Sequence, residues 1–319
     1  MLPSVNRDAT ERWKEDSDRS VDYYNDWFLR FAPPSFRKAR EAAVAKVADA
    51  FAKTDDCRRL DAETLLANPS IMAVVRQLTC PPLARDRLAG LAHVDKNFVK
   101  RCEEATGGAT MKSSERSKAA AVLAVVNRLL DKDIMPWLSA GDASPSTQQR
   151  NRSALVIADR VCGALSDPIL RNAQEARQLD AISAWLSARG YAKASPATHS
   201  DLRPGQFAIH LNLTGRASGD AARPVHIPVD VVVVPLAAKP GAFPILIEAK
   251  SAGDFTNVNK RRKEEAQIIE QLRRQYGVDV PFVLFLCGYF DPGYLGYEAA
   301  ERIDWIWEHR IEDMEKLGL

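Results

Sequence analysis

Two carboxylates and an ammonium stand close together in the last third of the sequence. Asp230 heads the run Val231-Val232-Val233-Val234, and downstream comes Glu248-Ala249-Lys250. In an extended chain alternate side chains share a face, so Glu248 and Lys250 point together while Ala249 points away. Charged groups beside buried sheet are costly unless something compensates them. A hard divalent cation such as Mg²⁺ does so, because it takes oxygen ligands and keeps waters that reach a phosphate. Asp230, Glu248 and the Ala249 main-chain carbonyl are the candidate metal ligands. Lys250 would orient a water and offset charge developing on the attacked group. The chemistry expected of Asp230, Glu248 and Lys250 is therefore metal-assisted phosphodiester hydrolysis without a covalent enzyme intermediate. A simpler reading makes Asp230 a strand-end residue and Glu248 with Lys250 a solvated pair. The unbroken valine strand weighs against it, since such a strand is buried on both faces.

These residues converge only if the surrounding elements bring them together. The connection from Pro235 to Pro244, with Lys239-Pro240-Gly241 inside it, is short enough to make the two strands adjacent and antiparallel. Strands are expected at Phe207–Leu213, Val225–Val234, Phe243–Lys250 and Pro281–Gly288, from apolar runs bounded by turn residues. A charged crossover helix from Asn259 to Tyr276, stopped by Gly277, joins the last two strands. Helices are also expected at Ser153–Leu165, at Asn172–Arg189 and, last, at Tyr297–Lys316. This is an α/β pattern, a mixed sheet flanked by helices. Upstream the chain reads as helical, at Arg19–Phe31, Phe36–Lys53 and Ser114–Leu138, punctuated by Pro33-Pro34, Pro81-Pro82 and Gly107-Gly108. Ser139 to Gln149 reads as a linker or long loop. Residues 1–150 are thus expected to form a mainly helical domain, and 151–319 the α/β catalytic domain.

Glu175 lies on the same helical face as Leu179, Ile182 and Leu186. It is a candidate ligand or neighbour of the metal site, or else an acidic first-turn residue favoured by the helix dipole. On the crossover helix Lys260, Arg261 and Lys263 lead a basic segment. Lys260, Lys263, Gln267 and Arg274 share a face away from Ile269, Leu272 and Tyr276. Such a face can hold phosphates, and it can equally be a solvated surface.

Other chemistries lack their residues. No Gly-x-x-x-x-Gly-Lys, Gly-x-Ser-x-Gly or Gly-x-Gly-x-x-Gly sequence occurs. The five histidines form no His-x-x-x-His pair, although His210 and His226 fall on strands near the site. Five scattered cysteines without a Cys-x-x-Cys pair suit reduced thiols in a cytosol and weigh against zinc. A net charge of +2 neither requires nor excludes a nucleic-acid partner. No stretch approaches membrane-spanning length, so a soluble, cytoplasmic protein is expected.

Asp230 followed by Glu248-Ala249-Lys250 resembles the PD-(D/E)xK nuclease signature, with Val229 where a proline is common. The order helix, three strands, helix, strand from Asn172 to Gly288 resembles that superfamily's core. Within it the chain looks like the XamI-type restriction endonucleases. The similar stretches include Tyr23-Tyr24-Asn25-Asp26-Trp27-Phe28, the segment from Thr79 to Leu88, and Ser251-Ala252-Gly253-Asp254-Phe255-Thr256-Asn257. Leu286-Cys287-Gly288-Tyr289-Phe290-Asp291 and the segment from Ile303 to Arg310 complete them. The resemblance implies Mg²⁺-dependent double-strand DNA cleavage at a short, GTCGAC-like palindrome, in a bacterial restriction system with a partner methyltransferase. The helical half would then supply recognition and dimer contacts, with Arg85 and Arg87 as candidate base readers. One site per chain and a dyad-related pair of scissile phosphates point to a homodimer. Two alternatives stay open at this level: a nuclease of repair or recombination that reads DNA structure, and a DNA-binding protein with an inactive site.

Overall fold

The structure, a computed structural model, describes residues 2–106, 108–139, 144–216, 224–256 and 258–319. The chain divides into two compact units, Ala32–Leu170 and the combination of Met1–Phe31 with Arg171–Leu319. The division differs from a single cut near residue 150, because both crossings between units fall inside long helices.

The first of these helices, α1 (Trp13–Lys53), runs unbroken through Pro33-Pro34, where the sequence suggested two helices. A proline removes the N–H that would bond the carbonyl four residues back. Here those carbonyls belong to Leu29 and Arg30, which are exposed, so water can serve them. The helical unit continues with α2 (Ala62–Ala67), α3 (Met72–Val75), α4 (Arg85–Leu91), α5 (Lys96–Glu103) and α6 (Arg116–Leu129). Asp61 and Asp95 cap α2 and α5 by accepting the N–H groups of Thr64 and Phe98. Phe51, Leu65, Met72, Phe98, Val126 and Trp137 are fully enclosed in one core. The helix expected to reach Leu138 stops at Leu129, and Pro136–Ser139 forms a separate 3-10 turn. The two helices expected at Ser153–Leu165 and Asn172–Arg189 are one, α7 (Thr147–Ala188), continuous past Pro168.

Among the described residues the other unit has six strands: β1 (Ala192–Lys193), β2 (Gln206–Arg216), β3 (Pro224–Val233), β4 (Ile245–Ala252), β5 (Phe282–Gly288) and β6 (Asp304–Trp307). They lie side by side in sequence order. β2, β3 and β4 pair antiparallel, while the β1–β2, β4–β5 and β5–β6 pairs are parallel. Parallel neighbours need a crossover, and α8 (Val258–Tyr276) makes the one between β4 and β5. The expected α/β class and the four expected strands are present. Val232 and Val234 join one core with Ile269 and Leu272 of α8. Val231 and Val233 join the opposite core with Leu179, Ile182 and Leu186 of α7. Both faces of the sheet are covered, which is why the valine strand carries no polar alternation.

The expected helix from Tyr297 to Lys316 is corrected. After α9 (Pro292–Ala300) the chain turns at Arg302, with φ of 58°, and enters β6 before a 3-10 stretch over Glu308–Leu317. Ile303, Trp305 and Trp307 enter one core and Ile306 the other. That is a period of two, which four residues are too few to announce against a helical background. β6 also holds the amino-terminal segment. The Asp304 carboxylate accepts the N–H groups of Val5, Asn6, Arg7 and Trp305. Among the described residues no helix is long and apolar enough to cross a membrane. Losing a charged acceptor shared by several half-buried donors costs about 3 kcal/mol. Asp304→Ala should therefore lower the urea midpoint of the sheet-bearing unit by a corresponding amount, and a midpoint within error of the parent would show that the segment is held by other contacts.

Candidate active site

The β3–β4 ladder is short. It comprises Val233 with Ile245, Val232 with Leu246 and Val231 with Ile247, and then stops. The next pair in register would be Asp230 with Glu248. There the Ala249 N–H donates to Asp230 Oδ2 at 2.8 Å in place of a strand carbonyl. Lys250 Nζ donates to Glu248 Oε1 at 2.8 Å. Asp230, Glu248 and Lys250 are thus brought together as their spacing predicts.

β2 changes face at the same place. Phe207 lies in the α7-side core, whereas Leu211 and Leu213 lie in the α8-side core. On β3 Ile227 and Val229 likewise lie in the α8-side core, opposite in face to Val231 and Val233. The switch falls at His210, which has φ of 54°, and at Asp230, which stands across the ladder from it. A non-glycine residue in the left-handed region turns the strand. His210 Nε2 then lies 3.9 Å from Glu175 Oε1 of α7. Ligand atoms of Glu175, His210 and Asp230 all fall within 4.8 Å of one another. Glu175 therefore reaches the site, but as an exposed residue and not as part of the buried stripe.

These groups line a cleft of about 260 Å³. α7 contributes Arg171, Gln174, Glu175 and Gln178, β4 contributes Glu248 to Ser251, and α8 contributes Glu265. Glu248 is only 7% exposed. Burial pushes its pKa up, and the Asp230 charge adds to that, against the pull of Lys250 and the Asp230 N–H. Burial penalises the Lys250 ammonium too, but the carboxylates of Glu248, Glu265 and Asp230 outweigh it and raise its pKa. Glu248 Oε2 is buried with no hydrogen-bond partner among the described residues. This leftover buried carboxylate oxygen lines the same cleft as Asp230, Ala249 and Glu175, and oxygen donors of that kind suit a hard divalent cation.

Sequence reading missed Gln178 and Glu265. Gln178 Nε2 donates to the main-chain carbonyls of Lys250 (3.3 Å) and Phe285 (3.1 Å), bridging β4 and β5. Glu265 is buried and accepts the Tyr294 hydroxyl at 2.6 Å. Its signal was present: a carboxylate four residues before Ile269 and seven before Leu272 stands on the apolar stripe of α8.

Lys260, Arg261 and Lys263 fall in the first turns of α8, and their side chains lie outside the described residues. Gln267 is exposed, and Arg274 pairs with Glu270 one turn back. Arg85 and Arg87 belong to the helical unit. Arg85 gives Nε and Nη2 to Glu103, which also binds Arg76, so its guanidinium is already engaged. Arg87 is exposed.

The family model described as XamI restriction endonuclease matches residues 55–307. The type II restriction enzyme SalI of Streptomyces albus G is 46% identical over 321 residues, covering 98% of this chain and 99% of its own. The chain belongs to the XamI restriction endonuclease family. It is a type II restriction endonuclease, a hydrolase that binds DNA. No solved structure matches it. The matched residues run to Trp307, the last of β6, so they take in every strand of this endonuclease's sheet.

Elsewhere in the endonuclease, Arg177 Nη2 bonds Glu308 Oε2 at 2.9 Å, and the neighbouring His309 has both ring nitrogens buried with no hydrogen-bond partner among the described residues. Burial holds the His309 pKa below its ordinary 6.5. As pH falls the unfolded chain takes that proton first. The stability is therefore complete above about pH 6.5 and is lost below it, as pH approaches the depressed value. His309→Phe should lose less stability than the parent between about pH 7.5 and 5 in urea titrations. Glu308, raised by burial, acts with the opposite sign, so the parent-minus-variant difference is the measure. A difference that stays constant with pH would show that His309 takes up its proton alike in the folded and unfolded chain.

Proposed function

We propose that this endonuclease cuts both strands of DNA at a short palindromic site, using Mg²⁺ held by Asp230, Glu248 and the Ala249 carbonyl in a PD-(D/E)xK-like core. The reading is carried by the orphaned, buried Glu248 Oε2 beside Asp230, within a family of restriction endonucleases. Bound Mg²⁺ supplies Lewis-acid polarisation of a phosphoryl oxygen and a water of lowered pKa. The chain's own groups do the rest. The Ala249 N–H fixes one oxygen of Asp230 and leaves the other for the ion. Lys250, tethered to Glu248, holds its ammonium at the cleft, where it offsets charge developing on the attacked phosphate and aligns the attacking water. Glu175 stands beside Asp230 as a further carboxylate able to orient that water or share the ion. Gln178 keeps β4 in place through the Lys250 carbonyl. DNA backbone contacts are assigned to Lys260, Arg261, Lys263, Gln267 and Arg274, and base reading to the helical unit with Arg87, since Arg85 is held by Glu103. The cellular setting proposed is the bacterial cytoplasm, with a methyltransferase that protects the same palindrome.

Asp230→Asn and Glu248→Gln should each reduce cleavage of plasmid DNA by about three orders of magnitude or more, as losses of transition-state charge stabilisation do. Binding to the target duplex in Ca²⁺ should stay within about tenfold, because phosphate contacts carry most of the affinity. Lys250→Ala should bind and barely cut. Cutting at parental rates by either carboxylate variant in saturating Mg²⁺ would remove that residue from the mechanism. A digest read by run-off sequencing gives the palindrome, and discrete fragments are the expected result.

A two-fold homodimer is proposed as the active species, since one chain carries one Asp230–Glu248–Lys250 site and a palindrome has two scissile phosphates. Parent protein mixed with Glu248→Gln under subunit exchange should accumulate nicked circles before linear product. Sedimentation of a monomer on target DNA, with linear product formed directly in the mixture, would defeat the dimer.

A further inference from the structure

The cleft-facing stripe of α7 contains one cation that nothing in the site uses. Arg171, Gln174, Glu175 and Gln178 follow the spacing i, i+3, i+4, i+7, so they share a face, and all four line the cleft. Three of them are engaged. Gln174 donates to the Tyr24 hydroxyl, Glu175 faces His210, and Gln178 bonds the carbonyls of Lys250 and Phe285. The bonds made by Gln178 fix this part of α7 directly against the strand that carries Glu248 and Lys250. Arg171 stands two turns before Gln178 on the same face. It is exposed and makes no ion pair or hydrogen bond with any described residue. Two acids stand one turn from it in the sequence, Asp167 at i−4 and a glutamate at i+4. That glutamate is Glu175, which turns to His210 instead.

The charge around the cleft gives this free guanidinium a task. Among the described lining residues the acids are Glu175, Asp230, Glu248 and Glu265, and the cations are Lys250 and Arg171. Lys250 is tied to Glu248 at 2.8 Å. A DNA backbone approaching the cleft therefore meets an exposed glutamate and one cation free to receive it. Guanidinium groups bind phosphate oxygens in a bidentate fork, and their planar geometry fixes register as well as supplying charge.

We propose that Arg171 is a DNA-binding residue of the cleavage reaction, gripping a backbone phosphate adjoining the scissile one and setting its register against Asp230, Glu248 and Lys250. The proposal rests on the reading of this cleft as the cleavage site.

The test measures binding of the full-length protein to its target duplex in Ca²⁺ as a function of KCl concentration. Arg171→Ala should lower the logarithmic salt slope by about 0.9 and weaken binding roughly tenfold at moderate salt, while Arg171→Lys keeps the slope. A second measurement replaces single phosphates near the cut by neutral methylphosphonates. The parent should lose affinity at one position to which Arg171→Ala is indifferent. An unchanged slope in Arg171→Ala, or the same methylphosphonate penalty in parent and variant at every position, would overturn the proposal. Glu248→Gln serves as the control for the underlying reading. If it cuts like the parent, the cleft is not the cleavage site and the Arg171 role falls with it. If it loses cutting while Arg171→Ala keeps its slope, only the Arg171 role fails.

Discussion

The bond from the Ala249 N–H to Asp230 Oδ2 is the interaction on which the rest of the site depends. β3 and β4 share only three paired positions, and beyond them the strands have no common ladder. A half-buried strand N–H left without an acceptor there would cost about 1–3 kcal/mol. The Asp230 carboxylate takes that place, and in doing so it is oriented by the backbone it satisfies. The ending ladder thereby yields an oriented carboxylate, and Asp230 and Glu248 line one cleft where the pairing stops.

This arrangement is hard to explain by stability. Asp230 heads a run of valines and Glu248 follows Ile245-Leu246-Ile247, and Glu248 is almost wholly enclosed. Breaking a buried ion pair is costly, yet replacing it with packed apolar side chains is often neutral or stabilising. The pKa of Glu248 is raised because burial and Asp230 outweigh what Lys250 returns. A site that remains electrostatically under-compensated, with one carboxylate oxygen still unpartnered, is what a fold retains when a further positive charge belongs there.

The parts legible in the sequence were those with a strong, unbroken pattern. Four apolar valines with Asp230 before them, and Glu-Ala-Lys at the end of the next apolar run, marked the strands and the candidate site together. The charged crossover helix was equally plain. What escaped notice was decided by tertiary context. Pro33-Pro34 and Pro168 look like breaks, but a helix passes a proline where the deprived carbonyls are exposed to water. β6 is four residues long, and its alternation becomes meaningful only once β5 is there to pair with it. The face switch at His210 depends on one left-handed residue that has no glycine to mark it. Gln178 and Glu265 went unmarked, because the carbonyls and hydroxyl that satisfy them come from distant strands and from α9.

The misread carboxy-terminal strand matters to the site through a buried chain of polar contacts. β6 flanks β5, and the residue after it, Glu308, accepts from Arg177 at 2.9 Å. The Arg177 guanidinium also approaches Cys287 Sγ of β5 at 3.1 Å and lies 4.5 Å from the centre of the Trp27 ring. Stacking on an aromatic face is one way a buried guanidinium is accommodated when its remaining N–H groups lack acceptors. Arg177 precedes Gln178, whose amide holds the Lys250 carbonyl. The same turn of α7 is thus clamped to β6 by a buried ion pair and to β4 by an amide. A helix fixed at both points cannot slide along the sheet without breaking a charged contact in a low-dielectric interior, where losing one partner costs several kcal/mol. That constraint sets where Glu175 and Arg171, one and two turns away, stand over the carboxylates of the cleft.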